Sequence, residues 1–373
     1  MFFISTLGFM FHYFWIPFLS ILIFFAPAWS ETKPAGFAIP FPELTFKQRL
    51  SKEEQSYLGI PRKTNFSFKE IRGSLILIEF LSTYCPSCEL QSLILNEVYS
   101  SIQKDPRLKG KVKLIGIAAG NNEKEIEIFK KQYQVPYPIF ADPKFDAHMA
   151  VGSPRTPFSI WVRRDAQGKS SVVSTHLGLI DSEKNALGET RAVLQYDLAQ
   201  LKQQKGPIYA CDVLKPPLTD DELQAKAKEA METSGGRVLE IKKISLKDKD
   251  WLYVGKVDFG TYQKNLFSKL ASRQAICDIC HDTYFIYAFD PDGKVIEIVP
   301  IQLTKIQNLQ WTREDVEKLR GRTVGRSILQ TFTFDPYIDS VSGATITAVL
   351  IFDCLDKAKE IYEKLKEEGY IKP

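Results

Sequence analysis

Charged side chains are missing from the first 30 residues of this 373-residue chain. Residues 14–28 are dense in Phe, Ile and Leu, too uniformly apolar for a core helix with a wet face. The stretch reads as an export segment. It is either a signal peptide ending near Ala26-Pro27-Ala28 or Ala28-Trp29-Ser30, or an anchor long enough to span a bilayer. Cysteine is scarce, with six in the whole chain, which excludes a many-bridged secreted scaffold. Histidine is scarcer still, at four. No basic stripe with interleaved aromatics occurs, and the net charge is only +4, so nucleic acid is not an expected partner. No internal repeat is present, which excludes a solenoid.

What is present is globular: 44% hydrophobic and 25% charged residues. The length predicts two domains. Residues 31–64 read as an irregular lead-in punctuated by Pro34, Pro40, Pro42 and Pro61. Residues 65–204 form the first domain. Leu75 to Phe80 and Val112 to Ala118 are short apolar runs that suit strands buried on both faces. Helices are expected at residues 89–103 and 122–134, a hairpin around Asp165 to Gly168, and a closing helix over 190–204. Strand and helix alternating in this way is α/β. Residues 205–218, with Gly206, Pro207, Pro216 and Pro217, read as a linker. Residues 219–373 predict a separate α+β domain: a helix near 220–231, hairpins at Lys247 to Asp250 and Asp290 to Gly293, and one long amphipathic helix over 347–368.

Four of the cysteines form two C-x-x-C pairs. Cys85-Pro86-Ser87-Cys88 follows a buried strand and opens a helix. Cys85 then sits at a helix N-terminus, where free N–H groups and the macrodipole favour a thiolate. That lowers its pKa and makes it the attacking sulfur, with Cys88 resolving the mixed disulfide. The bland alternative is a structural disulfide or half of a metal site. Residues 65–204 also resemble the thioredoxin superfamily, in particular its exported, membrane-tethered thiol–disulfide branch related to cytochrome maturation. The resemblance rests on strand, Cys85-Pro86-Ser87-Cys88, helix, and then Thr156-Pro157 before a strand. It implies a cis Pro157 facing the dithiol and a Thr156 backbone offered to substrate. Tyr84 stands where that family usually has Trp. A peroxidase fits less well, because Ile78 and Ser82 occupy the positions of the Pro and Thr expected upstream.

The segment Asp339 to Thr347 is small and hydroxyl-rich ahead of a helix. A helix N-terminus with Ser342, Gly343 and Ala344 lets a phosphate or planar ligand approach the backbone, though a plain hydroxyl cap has the same look. The segment resembles the flavin-attachment motif of FMN-binding domains, as in flavin subunits of sodium-pumping quinone reductases. Residues 280–370 share that likeness. Matched residue by residue, it implies a cofactor site of Asp339, Ser342, Gly343, Ala344 and Thr345. FMN would be joined by a flavin transferase to the Thr345 hydroxyl or held noncovalently.

Cys277-Asp278-Ile279-Cys280-His281 has the spacing of a c-type haem attachment, with His281 as proximal ligand. Its other readings are a second redox dithiol, a zinc site or a structural disulfide. No residue set is expected to hold a resident metal ion, and Cys211 and Cys354 have no evident partner.

These readings combine into an exported thiol–disulfide oxidoreductase coupled to flavin. Electrons from a membrane donor would reach FMN, pass through Cys277/Cys280 to Cys85/Cys88, and end on a protein disulfide or an apocytochrome. The alternative is a flavin or haem c electron-transfer subunit of a respiratory complex, with the first domain as an assembly module.

Overall fold

The computed structural model describes residues 36–61 and 63–372, so the expected export segment lies outside it. Among the described residues no helix is long and apolar enough to cross a membrane. The first domain runs β1 (Phe37–Pro40), β2 (Thr45–Lys47), α1 (Lys52–Leu58), β3 (Asn65–Ser67), β4 (Leu75–Leu81), α2 (Pro86–Lys104) and β5 (Val112–Ala119). It continues with α3 (Glu123–Gln132), β6 (Ile139–Asp142), α4 (Asp146–Ala150), β7 (Phe158–Arg164), β8 (Ser170–Leu177), α5 (Glu183–Leu194) and β9 (Lys202–Gln203).

Seven of these strands form one mixed sheet in the order β6-β5-β4-β7-β8-β1-β9. Central β4 pairs parallel with β5 and antiparallel with β7. Every residue of β4 is buried, as its unbroken apolar run predicts. Leu75, Leu77 and Leu81 pack with Leu95 and Val98 of α2 and Leu187 of α5. Ile76, Ile78 and Phe80 pack with Leu58 of α1 and with Phe46 and Phe66 of the β2–β3 hairpin. This is a thioredoxin-like α/β domain.

Two expectations fail here. The lead-in is not irregular. β1 joins the main sheet, and α1 is closed by a capping box in which Ser51 and Glu54 satisfy each other's backbone N–H groups. Pro40 ends β1, and Pro42 and Pro61 lie between short elements. The closing helix starts earlier than 190: Ser182 accepts the N–H of Asn185 and caps α5, which ends at Leu194. The stretch 202–203 then adds a strand beside β1.

Residues 205–218 hold no helix or strand but are pinned to the first domain. Ile208 is buried, and Tyr209 N–H donates to Val151 O at 3.0 Å. At Gly152, with φ +100°, a Cβ would stand 2.0 Å from Tyr209 O, so only glycine admits this pass.

The second domain comprises α6 (Asp220–Glu232), β10 (Arg237–Ser245), β11 (Trp251–Asp258), β12 (Gln263–Arg273), β13 (Thr283–Phe289), β14 (Val295–Gln302), α7 (Arg313–Thr323), α8 (Thr345–Asp356) and α9 (Ala358–Glu367). Its strands form an antiparallel meander, β10-β11-β12-β13-β14. One face is covered by Leu223, Ala227 and Met231 of α6. The other packs on α7, α8 and α9. The α+β expectation holds, but β12 and α7 are additions to it.

The expected single C-terminal helix is interrupted at Lys357, and its two halves differ. α9 is amphipathic. In α8, nine of twelve residues are buried, as befits a helix packed on all sides. Ile346, Val349 and Leu350, spaced i, i+3, i+4, enter the core of the first domain. Ala348, Ile351, Phe352 and Leu355 enter that of the second. The two domains thus share one helix, which places their motifs side by side.

Candidate active site

Cys85 is the N-cap of α2, and Pro86 occupies its first turn, where a missing N–H costs nothing. Cys88 and Glu89 donate backbone N–H groups to Cys85 O at 3.0 and 3.1 Å. The preceding loop is held by Asn121, whose side-chain oxygen accepts the Thr83 N–H at 2.9 Å. Tyr84 OH donates to Glu125, which also closes the capping box of α3. Thr156-Pro157 is a cis peptide, as the thioredoxin likeness implies, and Cys85 Sγ donates to Thr156 O at 3.6 Å.

Neither Cys85 nor Cys88 is in a disulfide, and both are buried, at 0% and 2% exposure. Burial, then the hydrogen bond and charge of Cys85, push the Cys88 thiol well up. Cys88 therefore holds its proton more tightly than an exposed thiol does.

What covers Cys85 is the second domain. Thr156 forms a parallel bridge with Cys277: its N–H donates to Ile276 O at 2.5 Å, and its carbonyl accepts the Asp278 N–H at 3.1 Å. Ser87 Oγ, inside the C-x-x-C turn, donates to Asp278 Oδ2 at 2.7 Å. Arg155 donates to Cys280 O at 3.0 Å and pairs with Asp282 at 3.8 Å. Cys277 and Cys280 are joined in a disulfide. The ligand atoms of Cys85, Cys277 and Asp278 all lie within 4.8 Å of one another. With the Cys277 sulfur bound to Cys280, this triplet is a thiol facing a disulfide.

The same disulfide opens onto a cleft of about 290 Å³. The cleft is lined by Cys277, Cys280 and His281, by Tyr84 and Pro86, by Thr304 to Ile306, and by Gly343 to Thr347 at the start of α8. Ala344, the N-cap of α8, makes no side-chain cap, and no acidic residue stands in the first turn. The helix end keeps its N–H groups and positive dipole for an anion. Gly343 has φ +70°, the left-handed turn that glycine accepts freely. A helix start of this kind can hold a phosphate or another anion, although Glu89 also lines the cleft.

Two residues of the expected cofactor set do not line the cleft. Asp339 is buried, pairs with Arg322 at 2.6 Å and accepts the Asp335 N–H at 2.8 Å. It braces the 335–339 turn. Ser342 is exposed and absent from the cleft wall.

At the third motif, haem attachment needs two free thiols, whereas these sulfurs are bonded to each other. β13 begins two residues after His281, where a haem segment would continue as helix. The His281 Nδ1 is buried without a hydrogen-bond partner. Cys211 and Cys354 are outside any disulfide.

Sequence reasoning missed Glu79. Strand alternation turns it to the face that α2 covers, and it is 1% exposed. Burial raises its carboxyl to about 8, opposed by a hydrogen bond from Ser159. A lone acid inside an apolar strand run was the available signal. The clamp residues Ser87, Arg155 and Asp278 carried no such signal, because their partners lie on the other domain.

Residues 50–180 match the AhpC/TSA family. A thiol-disulfide oxidoreductase ResA of Bacillus cereus is 28% identical over 127 residues, covering 33% of this chain and 68% of that protein. Another ResA, of Halalkalibacterium halodurans, is 23% identical over 114 residues, covering 31% and 60%. Among solved structures, StoA from Bacillus subtilis aligns at 18% identity over 40% of this chain and 97% of its own, with TM-score 0.30. A DsbF homologue from Corynebacterium diphtheriae aligns at 17% over 44% and 92%, with TM-score 0.33.

Proposed function

We propose that this chain is an exported thiol–disulfide oxidoreductase whose Cys85/Cys88 dithiol exchanges electrons, through Cys277–Cys280, with a flavin held at Thr345. One observation carries the reading: the Cys277 sulfur of the Cys277–Cys280 disulfide lies within 4.8 Å of the Cys85 sulfur, and the same disulfide lines the cleft that contains Thr345. The ResA relatives support the thiol chemistry of residues 50–180. FMN would supply a two-electron donor matched to a two-electron disulfide.

The chain's own residues do the rest. Gly343, Ala344 and the uncapped start of α8 bind the phosphate, and the Thr345 hydroxyl is the attachment point. Cys85 attacks, Cys88 resolves, and the Thr156 backbone orients the incoming disulfide. An outside partner, a protein disulfide or an apocytochrome, reaches Cys85 after the second domain lifts away. A membrane donor feeds the cleft, and a flavin transferase loads it. A peroxidase role has less support, since Ile78 and Ser82 stand where the upstream Pro and Thr of a peroxidatic site are expected.

The test is twofold. Intact mass of the protein from its own host should include FMN, which Thr345→Val removes. Replacing Cys277 and Cys280 by Ala should abolish flavin-dependent reduction of Cys85/Cys88. Undiminished transfer in that double variant would overturn the relay.

A further inference from the structure

We infer that the Cys277 loop is a tethered substrate of the dithiol, and that exchange passes through one bond only, Cys85 Sγ to Cys277 Sγ, with Cys280 as the leaving sulfur. This rests on the proposed relay and names its internal partner.

The loop is docked as a substrate peptide would be. Its main chain bonds to Thr156 on both sides of Cys277, through Ile276 O and Asp278 N–H. Such main-chain pairing, an extended segment added to an exposed strand edge, holds a peptide without regard to its side chains. Side chains then fix the register. Ser87, between the two reactive cysteines, holds Asp278. Arg155, next to Thr156, holds Cys280 O and Asp282. Asp282 also accepts the Ala275 N–H at 2.9 Å, which closes the loop on itself.

The two sulfurs of the loop are unequal. Cys277 is 1% exposed and belongs to the triplet with Cys85. Both line the cleft, but Cys280 is outside that triplet and is the more exposed of the two. Ser87 grips the loop between the two cysteines, at Asp278, and Arg155 grips it at Cys280 and Asp282, so the two cannot swap places without breaking both contacts.

The steps balance. Cys85 gives up its proton to solvent and bonds to Cys277 Sγ as the Cys277–Cys280 bond breaks, and Cys280 leaves as a thiolate that takes a proton from solvent in the cleft. Cys88 then gives up its proton and bonds to Cys85, releasing Cys277 as the second thiolate, which is protonated in turn. The dithiol at 85/88 is oxidised and the disulfide at 277/280 reduced by the same two electrons. Reading the steps backwards carries electrons from the cleft to Cys85/Cys88. Cys280 is the sulfur turned away from Cys85 in both directions.

Two full-length variants test this. Cys88→Ser/Cys280→Ser leaves Cys85 and Cys277, and Cys88→Ser/Cys277→Ser leaves Cys85 and Cys280. Each is oxidised with diamide, folded and in 6 M urea, and its disulfides are located by peptide mapping. The folded first variant should close the Cys85–Cys277 bond at least tenfold faster than the folded second closes Cys85–Cys280. In urea the two rates should converge, which shows that the fold sets the preference. Equal rates in the folded state, a faster Cys85–Cys280 bond, or no bond in either folded variant would overturn the inference. The flavin reading is separable. If the Cys85–Cys277 preference is found in a protein whose flavin never reduces the dithiol, that reading fails and this one stands. If flavin-dependent reduction persists with the preference reversed, this one fails alone.

Discussion

Replacing Glu79 with Gln should change how stability depends on pH. The carboxyl sits near 4.5 in an unfolded chain and is raised to about 8 in the fold, mainly by burial. The folded state therefore holds this proton far longer than the unfolded state does. The resulting stability is fully present below about pH 4.5 and is lost as pH rises through about 8. Each pH unit between the two values is worth about 1.4 kcal/mol. Raising the pH from 5 to 8 should then remove on the order of 3 kcal/mol from the parent that Glu79→Gln retains. The amide is also imperfectly accommodated, because one Glu79 oxygen already lacks a partner. That cost is independent of pH, so slopes and not absolute values carry the test. Urea unfolding at half-unit pH steps, followed by Trp161 fluorescence in the first domain, gives the two curves. They should cross or converge as pH rises. Parallel curves between pH 5 and 8 would refute the idea that Glu79 is buried as a neutral acid.

Other outcomes follow from the same contacts. Leu350→Ala removes a side chain of the second domain from the core of the first, at a cost of roughly 3 kcal/mol. Iodoacetamide should then label Cys85 faster as the domains part. His148 is fully buried, donates from Nε2 to Pro154 O at 2.7 Å, and is pushed down to about 4 by burial. Being held neutral, it contributes stability above pH 6.5 that is lost as pH falls through about 4. A His148→Gln variant should therefore lose less stability than the parent between pH 7 and 4 in the same urea assay.

The clamp has a consequence for partner choice. The Thr156 edge is occupied by the chain's own loop, so a foreign disulfide competes with a tethered one present at high effective concentration. On the proposed reading, selectivity lies in what releases the second domain. The shared helix α8, the Lys144–Asp356 ion pair at 3.2 Å and the stacking of Arg273 over Phe145 at 5.1 Å are the contacts that such a release has to break.

The apolar run Leu75 to Phe80, the C-x-x-C that follows it and Thr156-Pro157 were enough to read the first site from the sequence, because strand burial, helix entry and dithiol spacing are local properties. The hairpins at Lys247 to Asp250 and Asp290 to Gly293 were legible for the same reason. β12 was not, since Gln263 to Arg273 mixes polar and apolar residues and gains its strand character from β11 and β13 on either side. Asp339 was assigned by likeness to a cofactor role, while the fold gives it Arg322. The sequence by itself determined two C-x-x-C pairs and a small-residue helix start. Only the tertiary structure decided that Cys277 faces Cys85 across Thr156. The Ser87–Asp278 bond that fixes this contact spans 191 residues of chain, and spacing along a sequence carries no information about pairing across a domain boundary.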